Sequence, residues 1–214
     1  MENKNQNLIK DAALKYHDRG WSVIPVGRDK KPFVKWEQYQ TTRASREKIE
    51  QWFKSPDVNV GVVTGAISGI VVIDLDTVEK INRELPPTIM SRTGRGGFHL
   101  FYKHPGREVK TRAGILPHVD IRGDGGYVVM PPSLHQNGNR YEWVEQPGED
   151  SIFEDLPQWA LEENKPAPIT NASDDGEIVP EGKRNDAATR VAGKLLSQLK
   201  DEKLWEFAWS GLKE

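Results

Sequence analysis

The sequence contains no cysteine and no long apolar run. Without cysteine, the 214-residue chain cannot form a disulfide, a thiolate nucleophile or a cysteine-ligated zinc site. No stretch approaches the roughly 18 apolar residues needed to span a bilayer, and the polar N-terminus lacks the apolar core of a signal peptide. From these absences we expect no contact with a membrane and a cytoplasmic location.

The chain also has little net charge, because 30 Lys and Arg side chains nearly balance 32 Asp and Glu side chains and leave −2. This value argues against a uniformly basic nucleic-acid-binding protein. The charges are unevenly placed, however. Residues 1–122, which include the Lys30-Lys31 pair, carry 21 basic and 14 acidic side chains, a net +7, whereas residues 123–214 carry 9 and 18, a net −9. Such an asymmetry indicates contact with a polyanion on the basic side.

Composition divides the sequence into a folded domain and a tail. A hydrophobic content of 36% with 29% charged residues is typical of a soluble globular protein. Residues 163–181 are rich in proline and acidic side chains, which predicts a linker. We therefore expect a domain over residues 1–162, that linker, and a helical segment over residues 182–214.

Helix and strand patterns alternate irregularly within the expected domain. Apolar side chains recur at helical spacing from Leu8 to Tyr16, and Ser45 is placed to cap a second helix that runs to about Phe53. A short helix is also predicted over residues 78–85. Apolar, largely β-branched and aromatic runs predict strands over residues 21–26, 60–64, 70–76, 88–91, 98–103, 118–122, 127–130 and 140–144. This mixture predicts an α+β domain built on a mixed sheet.

The strongest candidate for chemistry is the run Ile-Val-Val-Ile-Asp-Leu-Asp, in which Asp74 and Asp76 end an apolar strand. Residues two apart on a strand point to one face, about 6.6 Å apart. A divalent cation is the usual partner of two such like charges. The motif alone leaves several classes open: nucleotidyltransferases, glycosyltransferases with an Asp-x-Asp motif, phosphatases of the haloacid dehalogenase type, and a strand that simply ends in polar turn residues.

A third carboxylate, Asp120, lies on a later predicted strand with Arg122 on the same face. If this strand neighbours the first, Asp74, Asp76 and Asp120 could hold two metal ions about 3.5–4 Å apart, an arrangement that serves phosphoryl displacement. Arg122 offers a planar donor suited to phosphate. The alternative for Asp120 is an ion pair with Arg122 or Arg112.

Between these strands lies a glycine-rich turn, Ser91-Arg-Thr-Gly-Arg-Gly-Gly-Phe-His99. Glycines let backbone N–H groups approach an anion, although hairpins use glycine about as often for turn geometry. His99 alternates with Phe98 and Leu100 at the start of a strand and so faces away from them. The other histidines are interpreted as surface or turn residues: His17, His104, His118 and His135.

A strand ending in Asp-x-Asp, a glycine-rich turn closing in His99, and a strand with a lone Asp120 resemble, in that order, the three motifs of archaeo-eukaryotic primases. More specifically, the chain resembles the bifunctional DNA primase/polymerase N-terminal (Prim-Pol) family over roughly residues 8–160. Flanking segments carry the same resemblance: residues 21–26, Lys31-Pro32 followed by Trp36, residues 59–61 with Thr64-Gly65, and residues 125–133.

This resemblance implies a primase-polymerase catalytic domain over residues 1–162, with an RRM-like catalytic part beside an N-terminal α/β part. It implies that Asp74, Asp76 and Asp120 are catalytic and bind two divalent ions, Mg²⁺ or Mn²⁺. The segment 182–214 is similar to the helical domain that often follows this core, here a small appendage. The residues implied at the incoming nucleotide are Ser91, Thr93, Arg95, Gly96, His99, Arg122 and, beside the sugar, Tyr127.

The activity that the resemblance implies is template-dependent nucleotidyl transfer, as a DNA primase and DNA polymerase. A nucleotide would pass from an NTP or dNTP to a 3′-hydroxyl with release of pyrophosphate. The implied partners are a single-stranded DNA template with its primer, and a helicase or another replication or repair protein. Some relatives carry a zinc-binding insertion, but this cysteine-free chain has no obvious means to build one, so no zinc is expected.

Two other functions remain open on the residues alone. A phosphatase of the haloacid dehalogenase type fits the run from Ile70 to Val78, but its later acidic motif is incomplete at Asp124, and about 70 residues precede its first motif. A non-catalytic module that binds single strands is the second alternative, in which basic and aromatic side chains supply charge and stacking. The candidate stacking residues of such a module are Trp21, Trp36 and Trp52. Three clustered aspartates count against this alternative, because a protein that only binds strands has no need of them.

Overall fold

The computed structural model describes residues 2–77, 81, 83–144, 147, 148, 151 and 153–162. The predicted linker over 163–181 and helical segment over 182–214 lie outside these residues. The described chain contains the helices α1 Glu2–Asp18, α2 Arg46–Trp52 and α3 Gln158–Leu161, and a 3₁₀ helix at Glu37–Gln40. Its strands are β1 Ser22–Val26, β2 Asn59–Val63, β3 Ile70–Leu75, β4 Met90–Arg92, β5 Phe98–Lys103, β6 Arg112–Leu116, β7 Val119–Arg122, β8 Tyr127–Val129 and β9 Glu142–Trp143.

The strands form two sheets. The small sheet has the order β1-β2-β8, and the large sheet has the order β6-β7-β3-β5-β4-β9. Every pairing between these strands is antiparallel. The α+β class is confirmed. The mixed sheet that we expected is not: among the described residues, parallel pairing occurs only at two isolated bridges, Lys103–Asp155 and Lys110–Asp124.

Two apolar cores lie on opposite faces of the large sheet. Val72 on β3 packs in the first core, together with α1, α2 and the small sheet. Its neighbours Val71 and Ile73 pack in the second core, with Ala160 of α3. Because alternate residues of a strand point to opposite faces, the continuous apolar run of β3 supplies both cores, which is why it lacks the alternation of a half-exposed strand.

The helices begin where local chemistry places them, with one difference from prediction. Ser45 caps α2 as expected, since its Oγ accepts a hydrogen bond from the backbone N–H of Lys48 at 3.3 Å. α1 buries Ile9, Ala13 and Tyr16 but begins at Glu2 rather than Leu8. Its first residues are polar, so the apolar period could not reveal them. No helix in the described part of the chain is long and apolar enough to cross a membrane.

Three local predictions differ from the structure. Ile81 and residues 83–85 are not helical, and the rest of the helix predicted over 78–85 lies outside the described residues. β6 was not predicted, because most of its side chains are exposed or half-buried and show no apolar period. β7 begins at Val119, since His118 has φ +61° and belongs to the tight turn after β6.

The tryptophans considered for stacking pack against the first core instead. Trp21 is only 2% exposed, and its ring centroid lies 5.4 Å from that of Tyr16. Trp36 and Trp52 are half-buried and contact the same core. Of the three, Trp21 is therefore too buried to stack on a nucleotide base.

Candidate active site between the two sheets

A row of polar side chains crosses four neighbouring strands of the large sheet. Asp74 on β3 lies directly opposite Asp120 on β7 and opposite His99 on β5. His99 in turn lies opposite Ser91 on β4. Opposed residues in antiparallel strands share a face, with Cβ atoms about 4.5–5.5 Å apart. The register therefore brings together the three motifs that are far apart in the sequence.

The polar row lies on the face of the large sheet that packs against the small sheet. Val72 and Phe101, the residues next along this face, belong to the first core. A cavity of about 200 Å³ opens at this place, between the ends of the two sheets. Its walls are formed by Lys30, Asp74, His99, Thr111, Arg122, Gly125, Gly126, Tyr127, Val128, Val129 and Tyr141.

Arg122 lies against the two opposed aspartates. Its guanidinium donates a hydrogen bond to Asp120 Oδ2 at 2.6 Å and lies 3.7 Å from Asp74 Oδ2. Since like charges directly opposite one another are unfavourable in a sheet, Arg122 supplies the counter-charge. Asp120 Oδ1 also accepts the N–H of Gly114 at 2.7 Å. The ion pair left open for Asp120 is thus made with Arg122, whereas Arg112 donates to carbonyl oxygens at the end of α3.

His99 is buried in the row and lacks a partner for one ring nitrogen. Burial lowers the pKa of His99, despite the attraction of Asp74, whose Oδ1 lies 3.5 Å from Nε2. Within the described residues, neither His99 Nδ1 nor the buried Ser91 Oγ has a hydrogen-bond partner. Each unpaired buried polar atom costs about 1–3 kcal/mol. Two of them at opposed positions indicate a site for a polar ligand.

Asp76 follows the end of β3 and is exposed, and its N–H donates to the carbonyl of His118 at 3.0 Å. Gly97 comes directly before Phe98, the residue of β5 that pairs with Leu75 of β3. A Cβ at Gly97 would lie 2.1 Å from the Leu75 carbonyl oxygen and 3.1 Å from the Asp76 carbonyl carbon. Only glycine fits this close approach, so Gly97 helps to place the backbone of Asp76.

The other predicted nucleotide contacts form the hairpin between β4 and β5. Thr93 donates to Gly97 at 2.8 Å, and Gly96 donates to Thr93 at 2.9 Å, which closes the turn. Arg95 and Gly96 are exposed at its tip. These turn residues do not belong to the cavity wall. The predicted site residues that do line it are Asp74, His99, Arg122 and Tyr127.

Three polar side chains on the cavity wall were not among the predicted site residues: Lys30, Thr111 and Tyr141. Tyr141 packs on His99 with 6.0 Å between ring centroids, and burial raises the pKa of Tyr141 to about 12. Lys30 comes from the turn after β1, on the small sheet. The Lys30-Lys31 pair is the one sequence signal that could have identified it, whereas the approach of Tyr141 depends on tertiary packing.

Two of the histidines interpreted as surface or turn residues, His104 and His135, do lie outside the helices and strands, but their side chains are buried. His104 Nε2 lies 3.1 Å from Asp124 Oδ2. Asp124 also accepts the N–H groups of Ala66 and Val109 at 2.9 and 2.8 Å. Burial alone would raise the pKa of Asp124, but these hydrogen bonds together lower it. Asp124 therefore joins its own segment to those of Ala66 and of His104 and Val109, beside the cavity. This is a structural role that needs no second acidic residue.

The donor set of the polar row fits a hard divalent cation. Carboxylate oxygens are the ligands that Mg²⁺ and Mn²⁺ prefer, and Asp74 and Asp120 already face one another. Across the described ranges, no three His, Cys, Asp or Glu side chains form a ready metal-binding group, and Arg122 lies against both aspartates. Metal binding by Asp74, Asp76 and Asp120 stays a prediction.

Comparison with known families places this geometry in context. A model of the family described as bifunctional DNA primase/polymerase, N-terminal, matches residues 13–159. A comparison with curated proteins gave no match. The matched region contains both sheets and every residue of the polar row. Because the match covers well over half of the sequence, this chain belongs to the bifunctional DNA primase/polymerase N-terminal (Prim-Pol) family.

Proposed function

We propose that the domain is a template-dependent nucleotidyltransferase, a DNA primase and DNA polymerase. It transfers a nucleotide from an NTP or dNTP to a 3′-hydroxyl and releases pyrophosphate. The observation that carries the proposal is the row Asp120, Asp74, His99 and Ser91 beside a cavity between two sheets. Family membership supports the reaction class and favours it over the phosphatase alternative.

The acidic end of the row supplies the metal-binding part of the proposed site. Asp74, Asp76 and Asp120 would hold Mg²⁺ or Mn²⁺, which lower the pKa of an attacking hydroxyl and neutralise a phosphate leaving group. Release of Asp120 by Arg122 would accompany this binding. The freed guanidinium has the planar geometry that binds phosphate oxygens in pairs, so Arg122 would contact the nucleotide.

The other end of the row supplies the proposed triphosphate-binding part. A neutral imidazole has one N–H donor, and a serine hydroxyl has another. Phosphate oxygens would give His99 and Ser91 the partners that they lack within the chain. The hairpin residues Thr93, Arg95 and Gly96 would contact the nucleotide from outside the cavity. Tyr127 lies on the cavity wall and would contact the sugar.

The remaining parts of the proposal concern architecture and partners. The large sheet would be the RRM-like catalytic part, because it carries the whole polar row. A single-stranded DNA template with its primer would be the substrate, and a helicase or another replication or repair protein would be a partner.

Primer extension on a single-stranded template, with Mg²⁺ or Mn²⁺, tests the proposal. We expect Asp74→Ala/Asp76→Ala to reduce synthesis by about 10³-fold or more, because the groups that stabilise the developing charge are removed. Asp11→Ala, which removes an exposed aspartate of α1, is the matched control and should retain activity. Undiminished synthesis by the double variant would refute the proposal. Strand binding by an inactive wild-type chain, indifferent to Mg²⁺ and nucleotides, would support the non-catalytic alternative.

A further inference from the structure

Phe33 is the most exposed large hydrophobic side chain in the described part of the chain, with 58% of its surface accessible. It lies in residues 27–36, the segment that leads from β1 toward the 3₁₀ helix, which we name the basic loop. This loop carries four basic side chains and one acidic side chain: Arg28, Lys30, Lys31 and Lys35 against Asp29. The basic loop therefore presents an aromatic face and cationic side chains together at the protein surface.

Backbone hydrogen bonds fix the main chain around Phe33, and its ring packs against Gly27. The N–H of Phe33 donates to the carbonyl of Pro25 at 3.0 Å. The loop closes on itself, because Gly27 donates to Lys31 at 2.8 Å and Lys30 donates to Gly27 at 2.9 Å. A Cβ at Gly27 would lie 3.3 Å from the Phe33 ring, so the ring lies directly against this glycine. Phe33 is therefore a preformed aromatic surface that needs little ordering to bind a partner.

The basic loop contacts Tyr127 of the cavity wall at two points. Lys30 has φ +69°, a left-handed conformation that is uncommon for lysine. The Tyr127 hydroxyl donates to the Lys30 carbonyl at 3.2 Å. Near the other end, Trp36 packs edge-on against Tyr127, with 4.9 Å between ring centroids. Because Lys30 and Tyr127 line the cavity that contains Asp74, the loop leads from the protein surface to the proposed active site.

Two of the positive charges in the loop are available to a ligand. Arg28 is paired with Asp57 at 2.7 Å, and Lys31 lies 3.9 Å from Asp29. Counting only carboxylates of described residues, none lies within 4.0 Å of the Lys30 or Lys35 amines. Free ammonium groups beside an exposed ring match a single-stranded nucleic acid, whose phosphates attract the charges and whose unpaired bases stack on the ring. A duplex keeps its base faces inside and offers no such stacking.

We infer that the basic loop binds the single-stranded DNA template on its way to the active site, with Phe33 stacking on a base and Lys30 and Lys35 contacting phosphates. That the bound strand serves as the template rests on the proposed function. Strand binding by the loop is independent of that function, because it can be measured without nucleotides or metal.

Fluorescence anisotropy of a dye-labelled single-stranded DNA, with the full chain in EDTA, tests the inference. Phe33→Ala should weaken binding by about 5- to 140-fold, the range that one stacked base contributes. Phe33→Trp should keep the affinity, because it preserves an aromatic face. Leu8→Ala removes the other exposed large hydrophobic side chain among the described residues and is the matched control, expected to bind as the wild type does. Lys30→Gln/Lys35→Gln should flatten the slope of log K against log salt by about 1.4.

Several outcomes would overturn the inference. Affinity of Phe33→Ala within twofold of the wild type would do so, as would an equal loss for a duplex of the same sequence, because stacking would not be the cause. A wild-type dimer that becomes monomeric in Phe33→Ala, seen by light scattering, would show that the ring contacts a second copy. Matching unfolding transitions would exclude a folding defect in the variant.

Primer extension by the same proteins, measured beside strand binding, separates the inference from the proposed function. If the wild type synthesises nothing but Phe33→Ala still loses strand affinity, the function is wrong and the binding surface stands. If synthesis depends on Asp74 and Asp76 while Phe33→Ala binds and extends normally, the function stands and the inference is wrong.

Discussion

Gly97 sets how closely β5 approaches the end of β3, and Gly97→Ala tests that geometry. A Cβ at this position would lie 2.1 Å from the Leu75 carbonyl oxygen and 3.1 Å from the Asp76 carbonyl carbon. Favourable contacts between non-bonded heavy atoms begin near 3.5 Å. Because both obstacles are backbone atoms of the neighbouring chain segment, no side-chain rotation can relieve the clash.

The cost of Gly97→Ala follows from the movement that it requires. Overpacking where side chains can yield costs about 1–3 kcal/mol. Here β5 would have to move away from β3 by about 1 Å or more, which strains the pairs Leu75–Phe98 and Asp74–His99. We expect the free energy of unfolding to fall by about 3 kcal/mol or more, which corresponds to a loss of about 6–12 °C in Tm for a domain of this size. Primer extension should fall with it, because the register of the polar row changes.

Thermal and urea unfolding followed by circular dichroism measure this difference. Gly96→Ala is the matched control, since Gly96 has φ +90° but a Cβ added to it would meet nothing within 4 Å, so only the backbone cost of about 1–2 kcal/mol applies. A Gly97→Ala protein as stable as Gly96→Ala would show that the strands do not approach so closely and would refute the reasoning.

Two further predictions concern buried polar groups near the site. Ser91→Ala should leave the free energy of unfolding unchanged or higher, because the Ser91 hydroxyl has no partner among the described residues. Ser133→Ala should lower the free energy of unfolding by about 1–3 kcal/mol, because Ser133 Oγ accepts the N–H of Val60 at 2.9 Å. Urea unfolding of both variants measures this, and equal losses would contradict it. Asp124→Asn should destabilise the fold by about 1–3 kcal/mol at neutral pH, because the carboxylate accepts two N–H groups. The folded state lowers the pKa of Asp124 from 3.8, so its stabilisation is present above that value and lost as the pH falls through the folded pKa. Urea unfolding at about pH 7 and about pH 3 should therefore show the two proteins converging in acid, and a difference that stays constant would count against this role.

Much of the candidate site could be predicted because its residues lie on strands with strong local signals. The apolar run before Asp74 and the alternation around His99 predicted β3 and β5, which the structure confirms. The order of the three motifs predicted the family, which the match over residues 13–159 confirms. β6 was not predicted because its side chains are largely exposed. The burial of the His104 side chain was not predicted because its partner Asp124 lies on another segment.

The sequence by itself determined which residues are acidic, which runs form strands and which side chains share a face, because alternation and helix capping depend on neighbours in the chain. Only the tertiary structure decided that Asp120 lies opposite Asp74 and that Arg122 pairs with Asp120. It also decided that Lys30 reaches the same cavity from the other sheet. These contacts join segments far apart in the sequence, and their register depends on how the two sheets pack, which no local pattern encodes.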